Sequence, residues 1–168
     1  MTALPFVIRH ERPGDGAAIE RLHGRAFGPG RFARTAYRLR EGTDPLADLC
    51  LAALAGTDLV GSIRIGPAQA GGAPLLALGP LAVDPNFAGR GIGCALMRAG
   101  LYAARAGRHA LVVLVGDLSY YGRFGFAPVP AGRLVLPGPV DSARFLWLEL
   151  LEGGTTGVAG LVGPPHRA

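Results

Sequence analysis

The chain has 168 residues, 49% of them hydrophobic and 17% charged, with a formal net charge of +5. This length fits one domain that can bury roughly 70% of the surface its unfolded form exposes, so a real core is expected. Every basic residue other than histidine is arginine, a mark of coding bias in a GC-rich bacterial genome, and the arginines are scattered singly without alternating aromatics, which argues against a nucleic-acid surface.

The two cysteines, Cys50 and Cys94, have no metal-ligand spacing and are too few to staple so long a chain; both are expected as free thiols in a reducing cytoplasm. No basic leader followed by a long apolar core opens the sequence, and no later window is as apolar as a membrane span requires. Neither a targeting signal nor a membrane is expected.

In chain order, "FVIRHER" reads as a short strand that turns at Pro13 and Gly14 into the helical pattern "DGAAIERLHGRAF". There Asp15 is the expected N-cap, and Ala18, Ile19, Leu22 and Ala26 share a face. Gly28, Pro29 and Gly30 break that helix before "GRFARTAYRLRE", a second helix ending near Gly42 and Pro45. Arg31, Arg34 and Arg38 share one side of it and are expected as a solvated face. The runs "LCLAALAG" and "DLVGSIRIG" read as a hairpin, and "PAQAGGAP" as a loop.

"LLALGPLAV" is the next strand, and its Gly79 and Pro80 cannot sit in a regular central ladder, which predicts a bulge or a splayed strand there. After a glycine loop, "IGCALMRAGLYAARAG" puts Ile92, Leu96, Ala99 and Ala103 on one helical face, with Gly107 as the stop. The strand "ALVVLVG" follows, then the short helical piece "LSYYGRF", then "GFAPVP", and finally "GRLVLPG" and "ARFLWLELLEG" as two more strands. Residues 1–151 form the expected domain, of α/β class with a mixed sheet, and 152–168 a glycine-rich C-terminal extension ordered only in part beyond Gly163.

The loop before the second long helix carries the chemistry. Glycines at 89, 91 and 93 let consecutive N–H groups converge at a helix N-terminus, a geometry that binds phosphate. A dinucleotide fingerprint would need a glycine where Cys94 stands, and a P-loop needs a lysine, which this chain lacks. What remains is a pyrophosphate on the loop with the rest of the ligand along the broken strand.

"LGPLAVDPNFAGRGIGCALM" together with "YYGRFGF" resembles the GNAT superfamily of acetyl-CoA-dependent N-acetyltransferases, and the order of elements agrees over about residues 6–150. The resemblance implies a mostly antiparallel central sheet flanked by helices and splayed at the acetyl-CoA site. It implies that backbone groups of Leu81 and Val83 pair with the pantetheine arm as with an added strand, Pro80 helping to keep that edge open. The family's loop pattern, Gln or Arg, two residues, Gly, one residue, Gly or Ala, puts Ala88 where a polar side chain usually stands. The pyrophosphate would then rest on the backbone of Gly89, Arg90, Gly91, Ile92, Gly93 and Cys94, with Arg90 assisting.

A tyrosine four residues before the Gly-Phe pair is implied at the cofactor sulfur, and counting back from Gly125 and Phe126 gives Tyr121 as the acid that protonates the leaving thiolate. Tyr120, about 100° away in a short helix, is assigned to packing or to an edge contact with the cofactor. Transfer to a neutral amine is expected to be direct, with an N–H near Val83 steadying the oxyanion. An acyl-cysteine at Cys94 would need a histidine and a carboxylate that nothing local supplies, so Cys94 is read as a packing residue, as is Cys50 inside its strand.

No carboxylate lies between Leu75 and Val83; His10, Glu11, His23 and Asp117 are the candidate bases, with an ordered water as the substitute. His109 is expected to face solvent and His166 to belong to the tail. The acceptor pocket is expected near Phe27, Gly28 and Tyr37, for a small-molecule or protein amine, and an exposed C-terminal strand would support a homodimer. Two other classes stand beside the enzyme: a catalytically degenerate acetyl-CoA-binding sensor, and a small nucleotide-binding module unrelated to CoA.

Overall fold

The structure, a computed structural model, describes residues 5–33 and 35–165. Its elements run β1 (Val7–His10), α1 (Gly16–Phe27), α2 (Thr35–Arg40), β2 (Leu51–Ala55), β3 (Asp58–Ala70), β4 (Ala73–Val83), α3 (Ile92–Ala106), β5 (Leu111–Val115), α4 (Leu118–Tyr121), β6 (Ala127–Pro128), β7 (Leu134–Val135), β8 (Phe145–Glu149) and β9 (Gly160–Gly163). The sheet order is β1-β2-β3-β4-β5-β8-β6, with β9 pairing β3 and β7. Within that order β4 and β5 are parallel and every other neighbouring pair is antiparallel. A parallel pair needs a long crossover, and the glycine loop with α3 supplies it. No helix among the described residues is long and apolar enough to cross a membrane.

The period-2 alternation of buried strands builds a core on each face of the sheet. Val112 and Leu114 of β5 join Leu96, Met97 and Leu101 of α3 on one face. Leu111 and Val113 join Leu39 of α2 and Val158 and Val162 of the C-terminal segment on the other. A side-chain carbon at Gly100 would come within 3.2 Å of Ile65 and 3.3 Å of Ile63, so this glycine lets α3 settle directly on β3. The buried face of α3 is Ile92, Leu96, Met97, Gly100, Leu101 and Ala104, while Ala99 and Ala103 are only half-buried, so the apolar stripe is turned from the expected one.

Several elements differ from expectation for local reasons. The stretch 67–74 is no loop: Pro67–Ala70 pair with Ala73–Leu76 across a two-residue turn in which Gly71 and Gly72 have φ of 55° and 83°. Pro67 is tolerated because β3 is paired with β2 only as far as Ile63 and with β9 only from Gln69, leaving no partner strand between them among the described residues, where Leu46 N–H reaches across to Ile65 O at 3.0 Å. "GRLVLPG" yields only the two residues of β7, and the C-terminal extension contains β9, for which the glycine-rich composition gave no signal. Cys50 lies just ahead of β2, not within it. Asp15 does precede α1, but its carboxylate turns back to accept from the Arg12 N–H (2.7 Å) and to pair with Arg9 (2.7 Å). Arg34 and His166 lie outside the described residues.

At Pro80 the ladder bulges. Ile63 pairs with Leu81 and Ile65 with Leu78, so Gly79 and Pro80 together oppose the single residue Arg64. Beyond that bulge β4 and β5 part, their pairing being confined to Leu76–Val112 and Ala77–Val113.

Candidate active site

The gap between the parallel strands begins where this pairing stops. Asp84 N–H donates to Val60 O at 2.8 Å, and Ala82 pairs with Ser62. Since backbone groups alternate in direction along a strand, those of Leu81 and Val83 turn to the opposite side, where no strand among the described residues pairs with them. Unpaired N–H and C=O groups on an open strand edge can accept an extended ligand as a further strand.

At the far end of this edge the chain folds into a cradle. Asp84 accepts from the Asn86 N–H at 2.9 Å and lies 3.3 Å from the Arg25 guanidinium, which fixes the exit of β4. Gly89 and Gly91 have φ of 76° and 81°, a left-handed conformation that a side chain disfavours, and Gly91 is the N-cap of α3. The first intrahelical bond runs from Ala95 N–H to Gly91 O at 3.0 Å, so the N–H groups of Ile92, Gly93 and Cys94 point out of the helix end. With the helix dipole behind them they suit an anion. The Arg90 guanidinium lies over the Phe87 ring, 4.9 Å from its centroid, at the exposed rim of this loop.

Tyr120 and Tyr121 are carried on α4, one turn beyond β5. The Tyr120 hydroxyl is 3.8 Å from Cys94 Sγ, and a side-chain carbon at Gly93 would come within 2.8 Å of it, so Gly93 makes room for this phenol against α3. Burial, and then the contact with Cys94, raise the Tyr120 pKa above its ordinary value. Arg123 stacks on the Tyr120 ring at 4.7 Å and reaches Cys94 Sγ at 3.6 Å. The Tyr121 ring packs where any side chain at Gly116 would overlap it and faces a different space. That space is a cavity of about 410 Å³ between Leu78–Leu81 of β4 and Leu114–Val115 of β5. Burial pushes the Tyr121 phenol up to about 12, so it is a proton donor and not a base near neutral pH.

A second cavity, of about 310 Å³, lies on the other side of the bulge and is lined by Glu20, His23, Glu41 and Arg64. Tyr37, Arg40, Gly79 and Pro80 line both cavities. Phe27 and Tyr37, expected at the acceptor pocket, line the first of them, and Gly28 lines neither.

The candidate bases scatter. His10 is exposed at the end of β1 and lines a groove against α3, away from the gap. Glu11 is held by Arg64 at 2.6 Å. Asp117 is exposed and pairs with Arg144 at 3.1 Å. His23 is only 2% exposed, and burial pushes its pKa down to about 4; its Nε2 has no hydrogen-bond partner among the described residues and its Nδ1 lies 3.8 Å from Glu20. His109 is half-buried where solvent exposure was expected. Cys50 is buried, its Sγ donating to Leu46 O at 3.2 Å, and burial raises its pKa. Sequence reasoning passed over Arg40 and Arg144, each one arginine among seventeen basic residues, because only the fold brings α2 and the segment before β8 to the gap.

Residues 47–128 match the acetyltransferase (GNAT) domain family. An N-acetyltransferase of Escherichia coli K12 described as uncharacterized, YhbS, is 32% identical over 163 residues, 94% of this chain and 95% of that protein. The crystal structure of the E. coli YhbS protein in complex with CoA superposes with a TM-score of 0.82 at 30% identity, covering 98% of this chain and 92% of that one. A GNAT family acetyltransferase of Brucella melitensis in complex with acetyl-CoA gives 0.69 at 31% identity, covering 98% and 97%. With a relative this similar along nearly its whole length, the chain belongs to the GNAT family of acetyltransferases.

Proposed function

We propose that this acetyl-CoA-dependent N-acetyltransferase moves the acetyl group directly to a primary amine, with the sheet gap as the place of transfer and Tyr121 as the acid. The observation that carries this reading is the parting of β4 from β5 beyond Ala77 with Tyr121 in the cavity so opened. The fit to acetyl-CoA is supported at two points. Outward N–H groups at the start of α3 and a glycine loop with open space at Gly89 and Gly91 suit the pyrophosphate. The unpaired backbone of Leu81 and Val83 suits the amide-bearing pantetheine arm. Acetyl-CoA supplies the acyl group already activated as a thioester.

The remaining work falls to the chain. Edge pairing along β4 fixes the thioester carbonyl, and the outward N–H near Val83 donates to its oxygen as negative charge develops. The amine nitrogen forms its bond to the carbonyl carbon as the carbon–sulfur bond breaks, and the Tyr121 phenol gives its proton to the departing sulfur. The proton lost by the amine leaves through water, since none of the four candidate bases combines exposure, freedom from an arginine partner and a place in the gap. Cys94 takes no covalent part: its sulfur contacts Tyr120 and Arg123, and no histidine among the described residues hydrogen-bonds to it.

Release of the CoA thiol in the presence of a panel of amines tests the proposal. Amine-dependent release is the expected result; acetyl-CoA binding without release to any amine would instead identify a sensor.

A further inference from the structure

Arg40 is the last residue of α2, and its guanidinium reaches across the wall between the two cavities. A side-chain carbon at Gly79 would lie 2.9 Å from its Nη1, and its Cζ stands 5.0 Å from the centroid of the Tyr37 ring. Elsewhere in the molecule part-buried arginines have found acceptors: Arg9 pairs with Asp15, Arg64 with Glu11, and Arg133 donates to the carbonyls of Thr155 and Val158. Among the described residues Arg40 makes no such pair, although it is largely buried. Burial lowers its pKa to about 10, which still leaves it charged at neutral pH. A charge partly withdrawn from water without an anionic partner is costly to maintain, and part of that cost is recovered when a ligand brings the anion.

The neighbouring charges say which anion. Glu20 and Glu41 line the 310 Å³ cavity with Arg40 and Arg64, so its charged groups balance. Arg64 is already paired with Glu11, so Arg40 alone of the two is left without a carboxylate among the described residues, and a singly charged carboxylate balances it better than a phosphate dianion set among two acidic side chains. A guanidinium fork is also the group best shaped to take a carboxylate by two parallel hydrogen bonds.

We propose that Arg40 holds the carboxylate of the acetyl acceptor, so that the acceptor is an amino acid whose amine is presented to the thioester past Gly79 and Pro80. The inference rests on the reading of the sheet gap as the place of transfer. Arg40 is here a specificity-determining residue and touches no reacting atom.

The test uses amine pairs that differ only by a carboxylate: phenylalanine with phenethylamine, leucine with isopentylamine, 4-aminobutyrate with propylamine. Binding of each to the CoA-loaded protein is measured by calorimetry, and turnover with acetyl-CoA by thiol release. In at least one pair the carboxylated member should bind wild type roughly 10- to 100-fold more tightly, the range of a charged hydrogen-bonded contact. Arg40→Met should erase that preference and leave the uncharged member within about threefold of wild type, and Arg40→Lys should retain part of it. Stabilisation by acetyl-CoA should be unchanged in both variants. The proposal is overturned if no pair shows a preference in wild type, if the preference survives Arg40→Met, or if that variant weakens both members equally, as a contact to the thioester would. Arg40-dependent binding without thiol release would uphold the carboxylate site and strike the transferase reading; release without a carboxylate preference would do the reverse. Should Arg40→Met not fold, the wild-type pairs and Arg40→Lys decide the matter.

Discussion

Tyr120 and Tyr121 stand edge to face, ring centroids 4.9 Å apart with the planes at 90°, yet they serve different walls of the site. The Tyr120 hydroxyl lies against Cys94 Sγ at the start of α3, and Tyr121 lines the cavity in the sheet gap. Adjacent residues of one helical turn point about 100° apart, and here that angle separates the end of the site suited to pyrophosphate from the end suited to the thioester.

Tyr121→Phe keeps the ring over Gly116 and removes only the proton. If the phenol protonates the CoA thiolate, kcat should fall by about 10² to 10⁴, while the acetyl-CoA dissociation constant changes less than about threefold. A thiolate is a fair leaving group, which favours the lower figure. Because burial puts this phenol at about 12, kcat should show no alkaline decline from Tyr121 below about pH 11. Tyr120→Phe is the control and should keep kcat within a few fold. The assignment is wrong if the two variants exchange phenotypes.

Gly91→Val tests the loop. Nothing lies within 4 Å of where a Cβ would sit at Gly91, so that atom meets no clash within the protein. A β-branched residue at φ of 81° is strained, however, by roughly 1–3 kcal/mol. A lower melting temperature and loss of the increment given by acetyl-CoA are expected together. Gly91→Asn, which accepts a left-handed backbone, separates the two effects: it should recover most of the intrinsic stability but little of the increment. An undiminished increment in the valine variant would remove the pyrophosphate from this loop.

How much of this was readable in the sequence follows from the range of the forces involved. Gly89, Gly91, Gly93 and the bulge at Pro80 were legible because backbone conformation depends on the residue and its immediate neighbours. The Gly71-Gly72 turn was misread as part of a loop, since Pro67 signals a break unless one knows that β3 has no partner strand on one side there among the described residues. β9 was invisible because four residues ending in Leu161, Val162 and Gly163 have no periodicity, and their strand exists through pairing with Gln69 and Ala70. Arg40 and His23 were the furthest from view. Their burial, and the lack of a carboxylate partner for Arg40 among the described residues, come from contacts between α1, α2 and β4 that no spacing along the chain encodes.

Cys94→Ala should retain most of the activity. The sulfur is half-buried against Tyr120 and Arg123, so its loss removes a weak contact and a little packing, and no step of a direct transfer depends on it. Mass spectrometry of wild type incubated with acetyl-CoA and no acceptor should find Cys94 unmodified. A stoichiometric acetyl adduct there that is discharged on adding amine would replace direct transfer with a two-step mechanism.

His23 sets a pH limit on the fold. Its ring is 2% exposed on α1, and burial pushes its pKa down to about 4, outweighing the raising effect of Glu20 3.8 Å away; Arg64, Arg31 and Arg40 push in the same direction as burial. An unfolded chain restores a value near 6.5, so between those two pH values the unfolded state binds the additional proton. Stability from the neutral buried ring is therefore complete above about pH 6.5 and is lost as pH falls towards 4. Over that window the loss amounts to about 3 kcal/mol, which for a chain of this size lowers the melting temperature by roughly 6 to 12 °C. Other groups titrate below pH 5, notably Asp15, whose pKa Arg9 lowers and whose stabilising pair fades in acid as well. The diagnostic range is thus pH 6.5 to 5, where carboxylates of ordinary pKa remain ionised. His23→Gln, uncharged throughout, should melt at a pH-independent temperature in that range, whereas wild type should already be declining. Equal slopes for the two proteins would mean that His23 is protonated in the folded state, with Glu20 as its counter-ion.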